Sequence, residues 1–573
     1  MSTQVVILAA GQGTRMMSAL PKVLHPLAGK PMLFHLLDTA LSLDSAKVSV
    51  VVGKHSAEVV QSCQAHYSND LITFVEQTEQ LGTAHAVAQV VPNIKPDDKV
   101  LVLYGDVPLI QRQTLVQLIA QLGKAALSLL TVTLSEPEGY GRICRDSHGC
   151  VEKIVEEKDA DADIREIQEV NTGIMAVSGE CLLNNISKIS NDNAQKEFYL
   201  TDLVSFCVEA DAMVLTSKAS SMDDVVGINN RAQLATAERI FQARQAKELM
   251  TAGLALLDPQ RFDLRGDLSF GQDVMIDVNV VMEGNVQIGS DVFIGANCVL
   301  KNVVIGDGAT IQPFSHLEKT HVGANCQVGP FARCRSGTYL YDDVKIGNFV
   351  ETKKARIGQQ SKVNHLSYVG DADIGEEVNI GAGTIFCNYD GVNKHKTTIG
   401  DQVFVGSNCA LVAPVVLGKK ATIGAGSVIV KDAPENRLTV ARAKQSTVSQ
   451  WKRQGQKTDT KPLSSDNESG HAEGDNHSEV AKNGDPAQQG MPSSHAQNAV
   501  EHHEPVQDSV ETTLLSEPAS SIETSLSSEP ENQSPELSTP TEEKNEQQEN
   551  VHPETHLESA QKEQGNVPPL SEQ

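Results

Sequence analysis

Short apolar runs recur through the first part of the chain, at 5–10, 48–52, 100–103 and 127–132. Runs of that length without alternation suit strands buried on both faces. Between them apolar residues fall at helical spacing, as over 32–43 and 113–122. Strands alternating with helices predict an α/β domain over 1–228, doubly wound (Rossmann-like) around a parallel sheet. Ligands of such sheets sit at the carboxyl ends of the strands. Residues 230–252 read as one helix. Leu234, Ala237, Phe241 and Leu249 lie near one face, and Gly253 can stop it. That predicts a connector over 229–253 between two domains.

The period changes from about 276 to 429. "IGSDVF", "IGANCV", "IGDGAT", "VGANCQ", "IGAGTI", "IGDQVF", "VGSNCA" and "IGAGSV" repeat a six-residue unit. An aliphatic residue precedes Gly, and a small or β-branched residue follows four places after the aliphatic. Such hexapeptides build β-helical solenoids, each unit forming one flat side of a coil and three units making a turn of roughly 18 residues. The aliphatics are expected to stack inside and the small residues to let the chain round its corners. Around 384–398, "TIFCNYDGVNKHKTT" breaks the register and predicts a loop leaving the coil.

Composition changes the picture mainly at the end. After Gln456 there is no aromatic residue, and Ser, Glu, Pro, Gln and Asn dominate. That segment has 24 acidic and 5 basic residues, so −19 of the chain's −27 lies there and −8 elsewhere. It buries too little apolar surface to offset chain entropy, and 456–573 is expected to be a disordered acidic tail. With the excess charge confined there, a basic pocket for an anionic metabolite remains open, whereas the overall balance disfavours nucleic acid. No apolar stretch is long enough to span a membrane. No basic stretch leads into an apolar run at the N-terminus, which argues against a signal peptide. The ten cysteines form no CxxC pair and are expected to be reduced thiols.

Candidate chemistry begins at Leu8–Lys22, "LAAGQGTRMMSALPK". The first strand runs into glycines that permit close backbone approach, with Arg15 and Lys22 to attract an anion. The motif lacks the third glycine of a dinucleotide fingerprint and the Gly-Lys-Ser/Thr of a Walker A loop. Taken alone it is a weak signal, with a tight turn that needs glycine as the lesser alternative. "YGDVPL" puts Asp106 at the carboxyl end of another strand, as a metal ligand or as a helix N-cap. "EQLGTAHA" offers a second Gly-Thr turn for a base or ribose. "GYGRI", "IVEEKD", "EVNTGI" and "GINN" add Gly141, Glu156, Asn171 and Asn229. Within the repeats, "FVETKKARIGQQSKVNHLSYVGDADIGEEVNIGAGTIFCNYDG" carries Lys353, His365, Tyr368, Asn379, Asn388 and Tyr389, polar residues for which a solenoid has no structural need.

This combination resembles the sugar-1-phosphate nucleotidylyltransferases. With the solenoid attached it is similar, over 1 to about 453, to the bacterial bifunctional N-acetylglucosamine-1-phosphate uridylyltransferases/glucosamine-1-phosphate N-acetyltransferases. The resemblance implies a nucleotidyltransferase domain followed by a left-handed parallel β-helix over 254–455. It implies acetylation of glucosamine-1-phosphate by acetyl-CoA, then uridylyl transfer from UTP with release of pyrophosphate. For the second reaction it implies that Leu8, Ala9, Ala10, Gly11, Tyr104 and Gly105 line the nucleotide site, and that backbone amides of 10–13 cradle phosphates. Arg15 and Lys22 would neutralise charge, and Gln77, Gly82 and Thr83 would meet uracil. Gly141, Glu156 and Asn171 would meet the sugar, and Asp106 and Asn229 would hold Mg²⁺. For acetylation it implies His365 as general base, since an imidazole titrates near neutrality and the attacking amine must lose a proton. Arg335 and Lys353 would grip the sugar phosphate, with Tyr368 and Asn379 on the sugar. Ala382, Asn388, Tyr389, Ser407, Ala425 and Arg442 would bind acetyl-CoA. It further implies a cytoplasmic homotrimer with sites between parallel solenoids, and the "CNYDGVNKHK" loop reaching a neighbour.

Two departures stand out. Gln12 occupies a position where relatives often carry Lys, which lowers the positive charge facing the phosphates, and the acidic tail has no family counterpart. Two other readings compete. One is a nucleotidylyltransferase for another sugar or base with an allosteric solenoid, which the His365–Tyr368–Asn379 set disfavours. The other is a trimeric scaffold presenting the tail, which the intact "GTRM" and "YGD" motifs disfavour.

Overall fold

The computed structural model describes residues 2–451 except Gln12, 54–56 and Asn69. The acidic tail and the departure at Gln12 lie outside the described residues.

The first part is a sheet of nine strands: β1 (Thr3–Leu8), β2 (Ala46–Val52), β3 (Ile72–Glu76), β4 (Lys99–Tyr104), β5 (Leu127–Thr133), β6 (Arg142–Arg145), β7 (Val151–Val155), β8 (Glu169–Ser178) and β9 (Val214–Lys218). The main path runs β9-β5-β8-β4-β1-β2-β3. The four predicted strands form within two residues of their expected bounds, because Val5–Ile7, Val100–Leu103 and Leu127–Val132 are buried between two helical layers. The expected all-parallel sheet is corrected here. β8 lies antiparallel to both β4 and β5, and β6 and β7 form an antiparallel hairpin beside it. Asn171, Thr172 and Gly173 interrupt the apolar run of β8, where its pairing to β5 shifts between Asn171 and Met175. That irregularity hid the strand from pattern reading.

The connector helix spans Arg231–Thr251, and the Asn230 side chain caps it by accepting the Gln233 N–H at 2.9 Å. Its Leu234, Ala237 and Phe241 pack with Leu27, Met32, Leu109 and Ile228. One turn further on, Ala246 and Leu249 join the solenoid core. Buried Gln242 both donates to the Leu264 carbonyl and accepts the Leu264 N–H at 2.9 Å, satisfying the edge of the first coil.

Parallel strands from Ala255–Leu256 to Leu438–Thr439 make the β-helix. Phe262 pairs with Val280 and Lys345 with Lys362, a coil of 18 or 17 residues. Ile294, Ile311, Val328, Ile346, Val363, Ile380, Val405 and Ile423 stack as one buried column. The residues four places after the repeat aliphatics, including Cys298, Cys326, Thr384 and Ser427, are buried at the corners. Between Asn379 and its partner Phe404 the offset becomes 25, so one coil carries a loop. It is narrower than the sequence suggests, because Ile385–Cys387 and Thr397–Ile399 remain strand and only 388–396 depart.

Candidate functional site

The candidate side chains fall into two clusters. The first is a cleft at the carboxyl ends of β1 and β4. Leu8, Ala9, Ala10, Gly11, Lys22, Gln77, Gly82, Thr83, Tyr104 and Asp106 line a cavity of about 240 Å³. Arg15, Lys22, Gly13 and Asn229 line an adjoining lobe. The Gly105 N–H bonds to the Leu8 carbonyl at 2.9 Å and ties the two strand ends together.

Local geometry explains the glycines unequally. Gly13 has φ 61°, and a Cβ there would lie 2.5 Å from the Lys22 Cβ, so the turn requires glycine. Gly82 has φ 117°, and its Cβ would lie 2.6 Å from the Phe198 carbonyl oxygen. At Gly11 a Cβ would meet nothing within 4 Å. The fold leaves that position open beside the cationic lobe, which is room for a ligand.

Charge converges in the lobe. The Lys22 ammonium contacts the Asp106 carboxylate and lies 3.1 Å from the Asn229 amide oxygen, to which the Arg15 guanidinium also donates at 2.9 Å. Asp106 caps no helix: the next one, Arg112–Gln121, starts after Gln111. Asp106 and Asn229 arrive from 123 residues apart because the Ile228 N–H bonds to the Asp106 carbonyl at 2.9 Å. Two hard oxygens thus share one cation-sized point, a donor set that fits Mg²⁺ when phosphate oxygens complete the shell. Among the described residues no group of three or more His, Cys, Asp or Glu side chains could hold a metal.

Deeper in, the buried Gln77 amide donates to the Gly82 carbonyl at 3.3 Å and meets His85 Nδ1 at 3.0 Å, and the Thr83 hydroxyl accepts the Leu200 N–H at 3.0 Å. Near Tyr104, whose hydroxyl feels the Glu156 charge, the Asn171 N–H donates to the Gly141 carbonyl at 2.8 Å. A Cβ on Gly141 would lie 3.1 Å from Glu156 Oε2, and Glu156 Oε1 accepts from the Thr201 hydroxyl at 3.2 Å. Burial raises the Glu156 carboxyl above the usual range. The Thr201 bond opposes this, and the Asp159 and Asp202 charges add to it.

The second cluster is a corner column of the β-helix. Leu366 N–H donates to the Asn348 carbonyl, Gly383 N–H to His365, Asn408 N–H to Ala382 and Gly426 N–H to Ser407, at 2.7–3.3 Å. Asn348, His365, Ala382, Ser407 and Ala425 therefore lie one above another, and Arg442 Nη1 closes the column by donating to the Ala425 carbonyl at 2.6 Å. His365 is exposed, and its Nδ1 lies 2.8 Å from the Asn348 amide oxygen. Since an amide oxygen only accepts, Nδ1 carries a proton, and in the neutral tautomer of the ring the lone pair is on Nε2. Tyr368 pairs with Glu351 on the neighbouring strand, and Arg335 donates to Glu351 at 2.7 Å. Asn379 lies on a different sheet from Tyr368.

Sequence reading missed several of these residues. Asn348 is recognisable only through the coil period. Lys394, from the loop, and Arg335 bring positive charge to Lys353, lowering its ammonium below the ordinary lysine value. Such mutual repulsion marks a place for an anion. Asn388 is corrected in one respect: it does have a structural role, being buried and donating to Asp371 Oδ2 at 2.5 Å. Tyr389 is exposed, and its hydroxyl bonds to the Gly391 carbonyl at 2.5 Å.

Comparison with known proteins accounts for both halves. Residues 5–168 match the MobA-like NTP transferase domain, 264–357 the GMPPB C-terminal domain and 396–431 the hexapeptide repeat of succinyl-transferase. The chain is 55% identical over 449 residues to the Bifunctional protein GlmU of Marinobacter nauticus, covering 78% of this chain and 98% of that one. It is 52% identical over 455 residues to that of Alkalilimnicola ehrlichii, covering 79% and 97%. It is also 52% identical over 460 residues to that of Idiomarina loihiensis, covering 80% and 100%. With the transferase sheet and the hexapeptide β-helix following one another in a single chain, and more than half of the matched residues identical to those of these relatives along nearly their whole length, this protein belongs to the GlmU family of bifunctional proteins.

Proposed function

We propose that the cleft of the sheet and the corner column of the β-helix are the two active sites of one bifunctional transferase, which makes UDP-N-acetylglucosamine. The column acetylates glucosamine-1-phosphate with acetyl-CoA. The cleft then transfers UMP from UTP to N-acetylglucosamine-1-phosphate and releases pyrophosphate. We divide the chain accordingly into 1–228, 229–253 and 254–455.

The carrying observation is the alignment of His365 with Asn348 in the column, because it leaves a free imidazole nitrogen facing solvent. In acetylation Nε2 takes the proton from the sugar amine as the amine nitrogen attacks the thioester carbonyl; the C–S bond then breaks, and the departing CoA thiolate takes up that proton. Arg335, Lys353 and Lys394 hold the sugar phosphate, with Tyr368 and Asn379 on the sugar. Ala382, Asn388, Tyr389, Ser407, Ala425 and Arg442 bind acetyl-CoA. In uridylyl transfer the work is alignment and charge neutralisation. Gln77, Gly82 and Thr83 orient the base, and Arg15 and Lys22 neutralise the triphosphate. Gly141, Glu156 and Asn171 aim the sugar phosphate at the α-phosphorus. Asp106 and Asn229 would hold Mg²⁺, which supplies charge compensation to phosphate oxygens.

We also infer a cytoplasmic homotrimer. Its support is a ladder of exposed apolar side chains on successive coils. Phe314 and Phe331 stack at 4.9 Å, Phe331 and Phe349 at 5.3 Å, and Leu366 follows. Phe349 is 57% exposed, a cost that association would remove. No helix among the described residues is long and apolar enough to cross a membrane, and nucleic acid is not a partner in this reading.

The test is mass spectrometry after mixing the protein with glucosamine-1-phosphate, acetyl-CoA, UTP and Mg²⁺. UDP-N-acetylglucosamine and pyrophosphate should accumulate. Failure to acetylate in the presence of all substrates would overturn the assignment of the column.

A further inference from the structure

Arg142 has a side chain 2% exposed, among the largest fully buried ones in the protein. Its guanidinium donates to the Tyr140 carbonyl and, at 3.3 Å, to the Arg165 carbonyl. Glu157 Oε2 meets Nη1 at 2.8 Å as an ion pair outside hydrogen-bond alignment, and the Arg142 Nε–H is buried without an acceptor. A pair so imperfectly satisfied is a poor stability device, since desolvating two charges offsets most of their attraction. What it does achieve is geometric. Tyr140 immediately precedes Gly141, and Glu157 immediately follows Glu156. One rigid fork therefore holds together the two segments that carry Gly141 and Glu156, across the β6–β7 hairpin where Arg142 pairs with Val155.

We propose that Arg142 is a positioning residue for the sugar subsite, fixing Gly141 and Glu156 against each other through the Tyr140 carbonyl and the Glu157 carboxylate. This rests on the reading of Gly141 and Glu156 as sugar contacts. Arg142 itself is buried and touches no substrate. Lysine keeps the charge but cannot serve three acceptors from one planar group. Its loss should loosen the Gly141–Glu156 contact while leaving the nucleotide side intact, because Gln77 is held by His85, Thr83 by Leu200, and the segment through Gly82 by the bonds of Phe198 to Leu81 and Ala84.

The experiment uses the full chain with Arg142→Lys, Glu157→Gln and, as reference, Glu156→Ala. KM for N-acetylglucosamine-1-phosphate and KM for UTP are measured separately, with acetyl transfer as an internal control. Arg142→Lys and Glu157→Gln should each raise KM for the sugar phosphate about tenfold, the order set by losing one contact of a charged group, a carbonyl bond in the first variant and the ion pair in the second. KM for UTP and the acetyl-transfer rate should stay native. A merely structural role would lower kcat with both KM values unchanged, and that pattern overturns the proposal. Should Arg142→Lys fail to fold, Glu157→Gln decides alone, because it keeps the shape of the pair. If Glu156→Ala raises the sugar KM while Glu157→Gln and a folded Arg142→Lys do not, the proposal alone fails. If Glu156→Ala leaves that KM native, the sugar reading fails and takes the proposal with it.

Discussion

Replacing Asn348 by Ala removes the amide oxygen that accepts from His365 Nδ1 at 2.8 Å, and little else, since both side chains face solvent at least in part. No buried group is left unsatisfied, so the loss is that of one ordinary hydrogen bond, about 0.5–1.5 kcal/mol. If it holds the imidazole in its productive tautomer, acetyl transfer should slow by about 2- to 13-fold, at 1.36 kcal/mol per tenfold. Removing the base itself should be worse: His365→Ala is expected to slow transfer by about 10²–10⁴-fold. Because Asn348 acts only through the ring, the double variant should be no slower than His365→Ala. Asn348→Asp keeps the acceptor but adds a negative charge, which favours the protonated ring. The acid limb of the acetylation profile should then move to higher pH. The assay is single-turnover acetyl transfer at saturating acetyl-CoA across pH, followed by release of the CoA thiol. Uridylyl transfer in the same preparation reports folding. Additive losses in the double variant would refute the coupling. A native rate and native profile in His365→Ala would refute the base itself.

Other expectations follow from the same geometry. Asp106→Asn should abolish uridylyl transfer and spare acetylation, as Mg²⁺ titrations of each activity would reveal; near-native UTP turnover at limiting Mg²⁺ would exclude the ligand role. Glu156, raised by burial, should take up its proton at a higher pH than an ordinary carboxylate, so KM for N-acetylglucosamine-1-phosphate should climb as pH falls; Glu156→Gln should lack that climb. Linkage runs the same way: burial makes the ionised form costly, so its stability contribution is present at low pH and lost as pH rises through the raised value, and Glu156→Gln should flatten that part of a melting-temperature profile. Gly82→Ala drives a methyl to within 2.6 Å of a backbone oxygen at φ 117°, so it should impair uridylyl transfer and leave acetylation near native. A chain ended near Gly253 should uridylylate but not acetylate; acetylation by that folded fragment would overturn the division of labour.

Much of this protein is written in short-range pattern. The apolar runs of β1, β2, β4 and β5, the connector helix and the hexapeptide repeat are properties of neighbouring residues, so burial periodicity alone specifies them. A register break around 384–398 was legible for the same reason, since an offset of 25 cannot fit a coil of 17 or 18, although only 388–396 leave the coil. The antiparallel course of β8 was not legible. Strand direction is fixed by what lies beside it, and polar Asn171 and Thr172 interrupt its apolar run. Asp106 and Asn229 were joined only through the family resemblance, and nothing in the sequence put Lys22 against both, stood Asn348 beneath His365, or buried Arg142 between Tyr140 and Glu157. These pairings join residues through packing and coil stacking, where chain separation carries no information. The residue types announced anion binding and proton transfer, and only the tertiary structure decided which of them meet, because a hydrogen bond depends on distances of about 3 Å that the fold alone sets.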